Sequence, residues 1–455
     1  MYNPYSVHNE KDVADMLDSM GLTHIEQLLQ CIPENIRLKR DLHLPAPLEE
    51  GQLDNVARQR ASANQTTLTR ISFLGGGVYE HHVPAVVDYL SERGELLTSY
   101  TPYQPKMSQG SLEILWEYQN KLQAIVGLPV VNASSYDGST ALVDAFNMVC
   151  YQASDPRNCD LLMAETLWPQ TRLIVESSLA GKENKIALIG YSEEGCLDHD
   201  HLETYLDLHR PAAFAFQCPN AFGVMEDMEA IARLCKKYNV TSIVYYHPFL
   251  SGIFQPPGLL GIDIVCGEGQ MLGNHLNAGG ATFGFLGCRQ VYAHAIPGRI
   301  VGIKTDEAGQ PYYALVNEER EQHVARDKAT SNICSNQANC VMRATFYLSA
   351  LGDQGLCRLA LKNVQAAHDF CQKLCAIEGI KRKFDAPFFN EFMIELPVNA
   401  GEFYEKVKAR GIYAGILHPM PGFENCLLLA VTETKDDAQL DYAVQVFDAC
   451  LRGDK

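Results

Sequence analysis

The sequence has no Cys-x-x-Cys pair, no apolar stretch fit to cross a membrane, no basic excess and no lysine between Lys237 and Lys304. Each of the first three absences removes a class of function. The fifteen cysteines follow no framework of spacings, so they read as reduced thiols in a reducing compartment, most of them core filler. A formal charge of -18 argues against a nucleic-acid footprint or an anionic membrane surface. The tight run Lys381, Arg382, Lys383 is too short to offset that charge and reads as a solvated strand end. Residues 243–262 carry no charged side chain, yet Pro248, Pro256, Pro257 and three glycines make them a poor membrane helix. The opening MYNPYSVHNEKD lacks the charged-then-apolar layout of a signal peptide, so the expected location is the cytoplasm.

What is present is core material. With 455 residues, 47% hydrophobic and 20% charged, the chain has enough for one large domain and one smaller. Residues 1–70 read as a helical extension, with Val13, Met16, Leu17 and Met20 on one stripe and Ile25, Leu28 and Leu29 on the next. Such an extension covers either a partner or its own core, and the amphipathic pattern does not choose. Residues 71–330 form the expected large domain. From Asp160 onward, β-type runs (161–164, 186–191, 212–216, 242–246, 263–267, 282–287) alternate with amphipathic stretches such as 198–208 and 225–238. That alternation predicts a mostly parallel sheet covered by helices on both faces. Residues 331–455 read as a long helix followed by a small C-terminal α+β domain.

Three loops carry most of the chemistry on offer. NASSYDGSTALVDAFN, from Asn132 to Asn147, places four hydroxyls and Gly138 before an apolar helical pattern. It is either an ordinary capped helix or a cradle for an anion such as phosphate. FLGGGVYEHHVP, from Phe73 to Pro84, has no following Lys-Ser/Thr and reads as a tight turn rather than a P-loop. YTPYQPKMSQG, from Tyr100 to Gly110, packs tyrosines, prolines and amides into a stretch that is neither regular helix nor central strand. Trp116 and Tyr118 are expected to open the next helix. AspHisAspHis at 198–201 reads as a solvated helix start, so no metal site is expected. Gly267, Gly269 and Gly273 follow a strand but open no helix, which excludes a dinucleotide fingerprint.

The strand order resembles the plan of fold-type I pyridoxal-phosphate enzymes, with residues 134–140 in the phosphate place. That plan needs a lysine for the Schiff base and a carboxylate for the pyridine nitrogen. The lysine gap removes the first, and Tyr246, His247, Pro248 at the end of the middle strand offer imidazole instead of the second.

More specifically, FLGGGVYEHHVPAVVDYL, YTPYQP with SQG, NASSYDGSTAL, PPGLLGIDIVCGEGQMLG, GRIVG, EQHVARDKATSNICSNQA and FFNEF resemble the alpha subunit of glycine dehydrogenase (decarboxylating). This is the P-protein of the glycine cleavage system in its split form, and the likeness runs from about residue 5 to 450. The resemblance implies a PLP-transferase-like fold, a chain without covalently bound cofactor, and pyridoxal phosphate on a lysine of the beta subunit. Gln270 and His247 stand, by that resemblance, at the positions of the lost Lys and Asp. It also implies an α2β2 partnership, glycine as substrate and transfer of the aminomethyl group to the lipoyl arm of H-protein. Tyr100, Thr101, Tyr103 and Gln104 are the candidates to line a site shared with the beta subunit, with no catalytic residue expected in this chain alone. Arg and Lys near 321–332 are read first as structural. The chain departs from the family at Lys106, where an acid is usual, at His247-Pro248, where Asp-Pro is usual, and at Ala281, where Pro is usual. Two readings therefore stand: an enzyme subunit that needs its partner, and a degenerate paralogue that binds or scaffolds.

Overall fold

The structure, a computed structural model, describes residues 7–98, 101–153, 159–181, 185–333 and 336–453. The chain divides into two compact units, residues 1–65 and 66–455. In the first, helix Glu10–Ser19 starts on a capping box, with Asn9 accepting from Lys11 N and Asp12 N. Two 3-10 turns, Ile25–Leu29 and Glu34–Ile36, and a second helix, Glu50–Ser62, follow it.

The second unit is built on a seven-stranded sheet. Its strands are β1 (Val130–Val131), β2 (Leu161–Ala164), β3 (Ile186–Ile189), β4 (Ala213–Cys218), β5 (Thr241–Tyr246), β6 (Ile264–Glu268) and β7 (Gly284–Cys288). The order across the sheet is β1-β7-β6-β5-β4-β2-β3. Strands β2 to β6 are mutually parallel, while β7 runs antiparallel to β6 and β1. The period-two alternation of the strands sorts their side chains onto two faces. Leu162, Phe214, Phe216, Val244 and Val265 enter one core, and Leu161, Met163, Ala213, Ala215, Ile243 and Ile264 the other. Burial of both faces explains why the strands read as apolar runs rather than half-polar ones.

The helix from Ala338 to Cys375 kinks at Gly352, whose φ of 62° only glycine adopts at little cost. Beyond it lies a four-stranded antiparallel sheet containing Glu391–Glu395 and Cys426–Ala430, packed by helices Ala400–Ala409 and Asp437–Arg452. Phe370, Phe392, Phe403 and Phe447 hold that core. The fold is α/β with a smaller α+β lobe. One boundary expected from the sequence moves: the helix containing Trp116 and Tyr118 starts at Gln109. Its first turn, Gln-Gly-Ser, is polar and shows no apolar period. The hairpin Val301–Thr305 with Pro311–Leu315 and the helix Pro169–Leu179 also went unread.

Candidate functional site

The Asn132–Asn147 segment sits where parallel strands of an α/β sheet end, the usual place for a ligand. Asp137 caps helix Gly138–Gln152: Oδ1 accepts from Thr140 N at 2.9 Å, and Asp137 N donates to Thr140 Oγ1 at 3.2 Å. The hydroxyls before and within the first turn are spent on the framework. Ser134 Oγ accepts from Gln337 N at 3.1 Å, Ser135 Oγ accepts from Asn132 Nδ2 at 3.4 Å, and Ser139 Oγ pairs with Thr171 Oγ1 at 2.9 Å.

The helix N-terminus does hold an anion, and it belongs to the chain. Glu268, the last residue of β6, lies buried with Oε2 accepting from Gly138 N at 3.1 Å and Oε1 accepting from Gln270 N at 3.0 Å. Thr282 Oγ1 also donates to Oε1. Burial pushes this carboxyl up, against the pull of those three donors. A Cβ on Gly138 would lie 2.3 Å from Tyr245 Oη and 2.6 Å from Glu268 N, so nothing larger than glycine fits this contact.

Around that carboxylate the lobe is sealed. Gln270 Oε1 accepts from Tyr79 N at 3.0 Å and its Nε2 donates to Asn274 O at 2.7 Å, so the amide braces two segments. His247 is buried, with Nδ1 accepting from Phe249 N at 3.3 Å, and burial lowers its pKa to about 3. It is a neutral imidazole packed at an angle against Tyr79 and edge-on to Phe389, at centroid distances of 5.1 and 5.3 Å. The cavity lined by Tyr79, Trp168, Tyr245, His247 and Glu268 measures about 20 Å³, room for one water. These residues do not fit pyridoxal phosphate. There is no amine at Gln270, a carboxylate faces the phosphate's seat, and the ring has no space.

Two segments singled out in the sequence meet at the edge of this lobe. Glu391, from FFNEF, accepts from Gly76 N at 2.8 Å and from Tyr79 Oη at 2.9 Å. Burial raises its pKa to about 7. Nearby, His81 Nδ1 pairs with Glu433 Oε2 at 2.8 Å.

The second candidate region is the loop after Tyr100, a residue that lies outside the described ones. Thr101 and Gln104 are exposed, while Tyr103 is half-buried. The Tyr103 hydroxyl donates to Asn336 Oδ1, and Asn336 Nδ2 donates to Ala133 O at the entrance of the sealed lobe. Arg299 lies over the Tyr103 ring at 5.2 Å and pairs with Glu321 and His323. So the structure joins Tyr103 to the 132–140 segment through Asn336 and leaves Thr101 and Gln104 facing outward. It does not bring any of these to His247 or Gln270 by a direct bond.

Sequence reasoning missed Glu268, Asn336 and Glu391. Glu268 carried a signal, being the only acid between Asp263 and Asp306. The larger cleft, about 840 Å³, is rimmed by Asp198, His199, Glu226, Asp227 and Glu229. Asp198 and Asp227 cap their helices there, accepting from His201 N and Ala230 N at 2.9 Å. Among the described residues no His, Cys, Asp and Glu group suits a metal, and none of their helices is long and apolar enough to cross a membrane.

Sheet order and helix placement together define a fold-type I pyridoxal-phosphate enzyme scaffold. Residues 4–447 match the family model of the glycine cleavage system P-protein, and the chain belongs to that family. It is 40% identical to a probable glycine dehydrogenase (decarboxylating) subunit 1 of Carboxydothermus hydrogenoformans, over 99% of this chain and 100% of that protein. A protein of the same designation from Chlorobaculum parvum is 38% identical over 96% and 98%. Among solved structures, an inhibitor-bound glycine decarboxylase (P-protein) superposes with a TM-score of 0.90 at 32% identity, covering 99% of this chain and 100% of its own. A sphingosine-1-phosphate lyase of Burkholderia pseudomallei, at 13% identity and TM-score 0.62 over 92% and 93%, shares the fold.

Proposed function

We propose that this chain is the cofactor-free subunit of a two-subunit glycine decarboxylase, the P-protein of the glycine cleavage system. The observation that carries this is the coexistence of family membership over nearly the full length with a lobe whose cofactor seat is filled by Glu268, Gln270 and His247. The relatives' designation as subunit 1 supports a second subunit, which in this reading carries pyridoxal phosphate and pairs with this chain as α2β2. The decarboxylation of glycine and the aminomethyl transfer to the lipoyl arm of H-protein belong to that second subunit's site. This chain contributes surface: Thr101 and Gln104, exposed on a proline-bounded loop, supply polar groups to the partner's site, and Tyr103 positions them through Asn336 and Arg299. Tyr100 is the fourth candidate for the same role. Gln270 and His247 take the places of the lost lysine and carboxylate, and the arm of residues 1–70, the lobe 71–330 and the region 331–455 act as separate functional parts.

The test is reconstitution. Purified chain, cognate second subunit, H-protein and glycine together give glycine-dependent bicarbonate exchange, and either subunit alone gives none. Exchange by the second subunit alone, unchanged on adding this chain, overturns the proposal. A second reading, a degenerate scaffold, draws on one observation, that the Tyr103 hydroxyl is spent on an internal partner, and on the family resemblance, by which Lys106 stands where an acid is expected. Association without any gain in exchange favours that reading.

A further inference from the structure

We infer that Glu268 is a built-in anion: its carboxylate occupies a phosphate-binding seat that the lobe still forms, and its removal reopens that seat to inorganic phosphate. The inference deepens the proposal that this chain carries no cofactor and rests on it, because a lobe loaded with pyridoxal phosphate would have no place for this carboxylate.

Three donors from three separate segments converge on one side chain. Gly138 N comes from the first turn of a fifteen-residue helix, Gln270 N from the turn after β6, and Thr282 Oγ1 from the loop before β7. Backbone N–H groups at a helix start plus a hydroxyl are the donor set that phosphate takes. Two further buried donors line the same small cavity. Trp168 Nε1 and His247 Nε2 find no hydrogen-bond partner among the described residues. Since His247 Nδ1 accepts from Phe249 N, the proton of the neutral ring sits on Nε2. Buried polar atoms are normally paired, and two unpaired N–H groups lining the cavity that Glu268 also lines mark a site built for more acceptor oxygens than Glu268 supplies.

A carboxylate has two oxygens and a short stem; a phosphate has more acceptors and, in a cofactor, a ring behind it. Glu268 therefore meets the helix end while leaving Trp168 and His247 unsatisfied. It also repels any second anion from the seat, in a buried site where screening is weak. The lobe is thus closed to phosphate by charge as well as by volume, and closed with a group that keeps the helix, β6 and the 276–282 loop tied together.

The test compares wild type with Glu268→Ala and Glu268→Ser in the full chain, in inorganic phosphate against chloride at equal ionic strength. The chain has two tryptophans, so a Trp116→Phe background leaves emission reporting on Trp168 alone. Wild type is expected to show the same melting temperature in both salts and unchanged emission. Each variant is expected to gain about 2 °C or more in phosphate, by ligand linkage to the folded state, with a saturable change in Trp168 emission. If a variant is unfolded in chloride, the same dependence reads as recovery of near-native circular dichroism in phosphate. Indifference of both variants to phosphate overturns the inference, as does phosphate binding by wild type with the variants' affinity. The underlying reading fails separately: a borohydride-fixed pyridoxal adduct on the wild-type chain sinks the cofactor-free proposal whatever the phosphate result.

Discussion

The sealed lobe and the loop after Tyr100 lie on either side of Asn336, and they have kept opposite things. The lobe has a helix start of the kind that seats an anion, at Gly138, but its carboxylate and amide groups bind within the chain and leave about 20 Å³. The loop has little regular structure, yet presents Thr101 and Gln104 to solvent with their side chains uncommitted to the core. A buried group that no longer meets a ligand must find an internal partner or cost stability. An exposed one faces no such demand, so its retention points outward. The expectation is a division of labour: changes in the lobe move stability, and changes in the loop move the activity of the assembled enzyme.

The strongest way to break that division is Gly138→Ala. The added Cβ would sit 2.3 Å from Tyr245 Oη and 2.6 Å from the Glu268 backbone nitrogen, and backbone gives way poorly. Overpacking of this severity costs about 3 kcal/mol or more. Urea unfolding should show a correspondingly lower midpoint. A midpoint equal to wild type would mean the lobe is loose and the sealed description fails.

Next in size is the pH dependence built into Glu391, whose folded pKa is about 7 against 4.5 for an ordinary glutamate. A raised carboxyl binds more protons folded than unfolded, so its contribution is full below about 4.5 and is lost as pH rises through about 7. The difference approaches roughly 3 kcal/mol at most, at 1.36 kcal/mol per unit. His247 runs the other way: depressed to about 3, it favours the folded state above its ordinary 6.5 and loses that as pH falls toward 3. The two offset each other between about 4.5 and 6.5. Glu391→Gln isolates the carboxyl. Its stability relative to wild type should improve from pH 5 to pH 8, and a constant difference across that range would show that Glu391 titrates normally.

Smaller again, and on the other side of the comparison, is Gln104→Ala. Loss of one hydrogen bond that stabilises a transition state lowers exchange by roughly 10-fold or more in the reconstituted complex. Thermal stability should stay within about 0.5 kcal/mol, as for other exposed substitutions. Parallel losses of activity and stability would instead place Gln104 in the core. Tyr103→Phe is less clean, since it also frees Asn336 from a bond it now makes.

How far the sequence reached follows the same boundary. The six β-runs from 161 to 287 fall on strands whose residues are mostly buried, the edge strand Ile186–Ile189 excepted, so composition marks them. The 198–201 run falls on a helix start, with Asp198 as its cap, because capping is local chemistry, readable within four residues. The seat of Glu268 was not legible. Its partners, Gly138, Gln270 and Thr282, span 144 positions at their extremes, and no periodicity records a contact between loops. The same holds for Glu391 with Gly76 and Tyr79, two motifs more than 300 residues apart. The sequence shows the gap between Lys237 and Lys304; it took geometry to place the Glu268 carboxylate at the helix start.

The smallest expected effect belongs to Lys106, exposed two residues beyond Gln104. An exposed cation is worth little to the fold, so Lys106→Glu should leave the melting temperature unchanged. At the rim of an interface, a charge acts on encounter rather than on the bound state, and its reach is set by salt. If the cognate second subunit has adapted to lysine here, reversing the charge should slow association by roughly 2- to 5-fold at low salt. That difference should vanish near 1 M salt, where the screening length falls to about 3 Å. Stopped-flow association across a salt series measures both. At saturating second subunit, exchange per complex should match wild type, because Lys106 sits outside the group of Thr101, Tyr103 and Gln104. A fall in that saturated rate would put Lys106 at the shared site, and an association rate indifferent to both charge and salt would take the whole loop away from the interface.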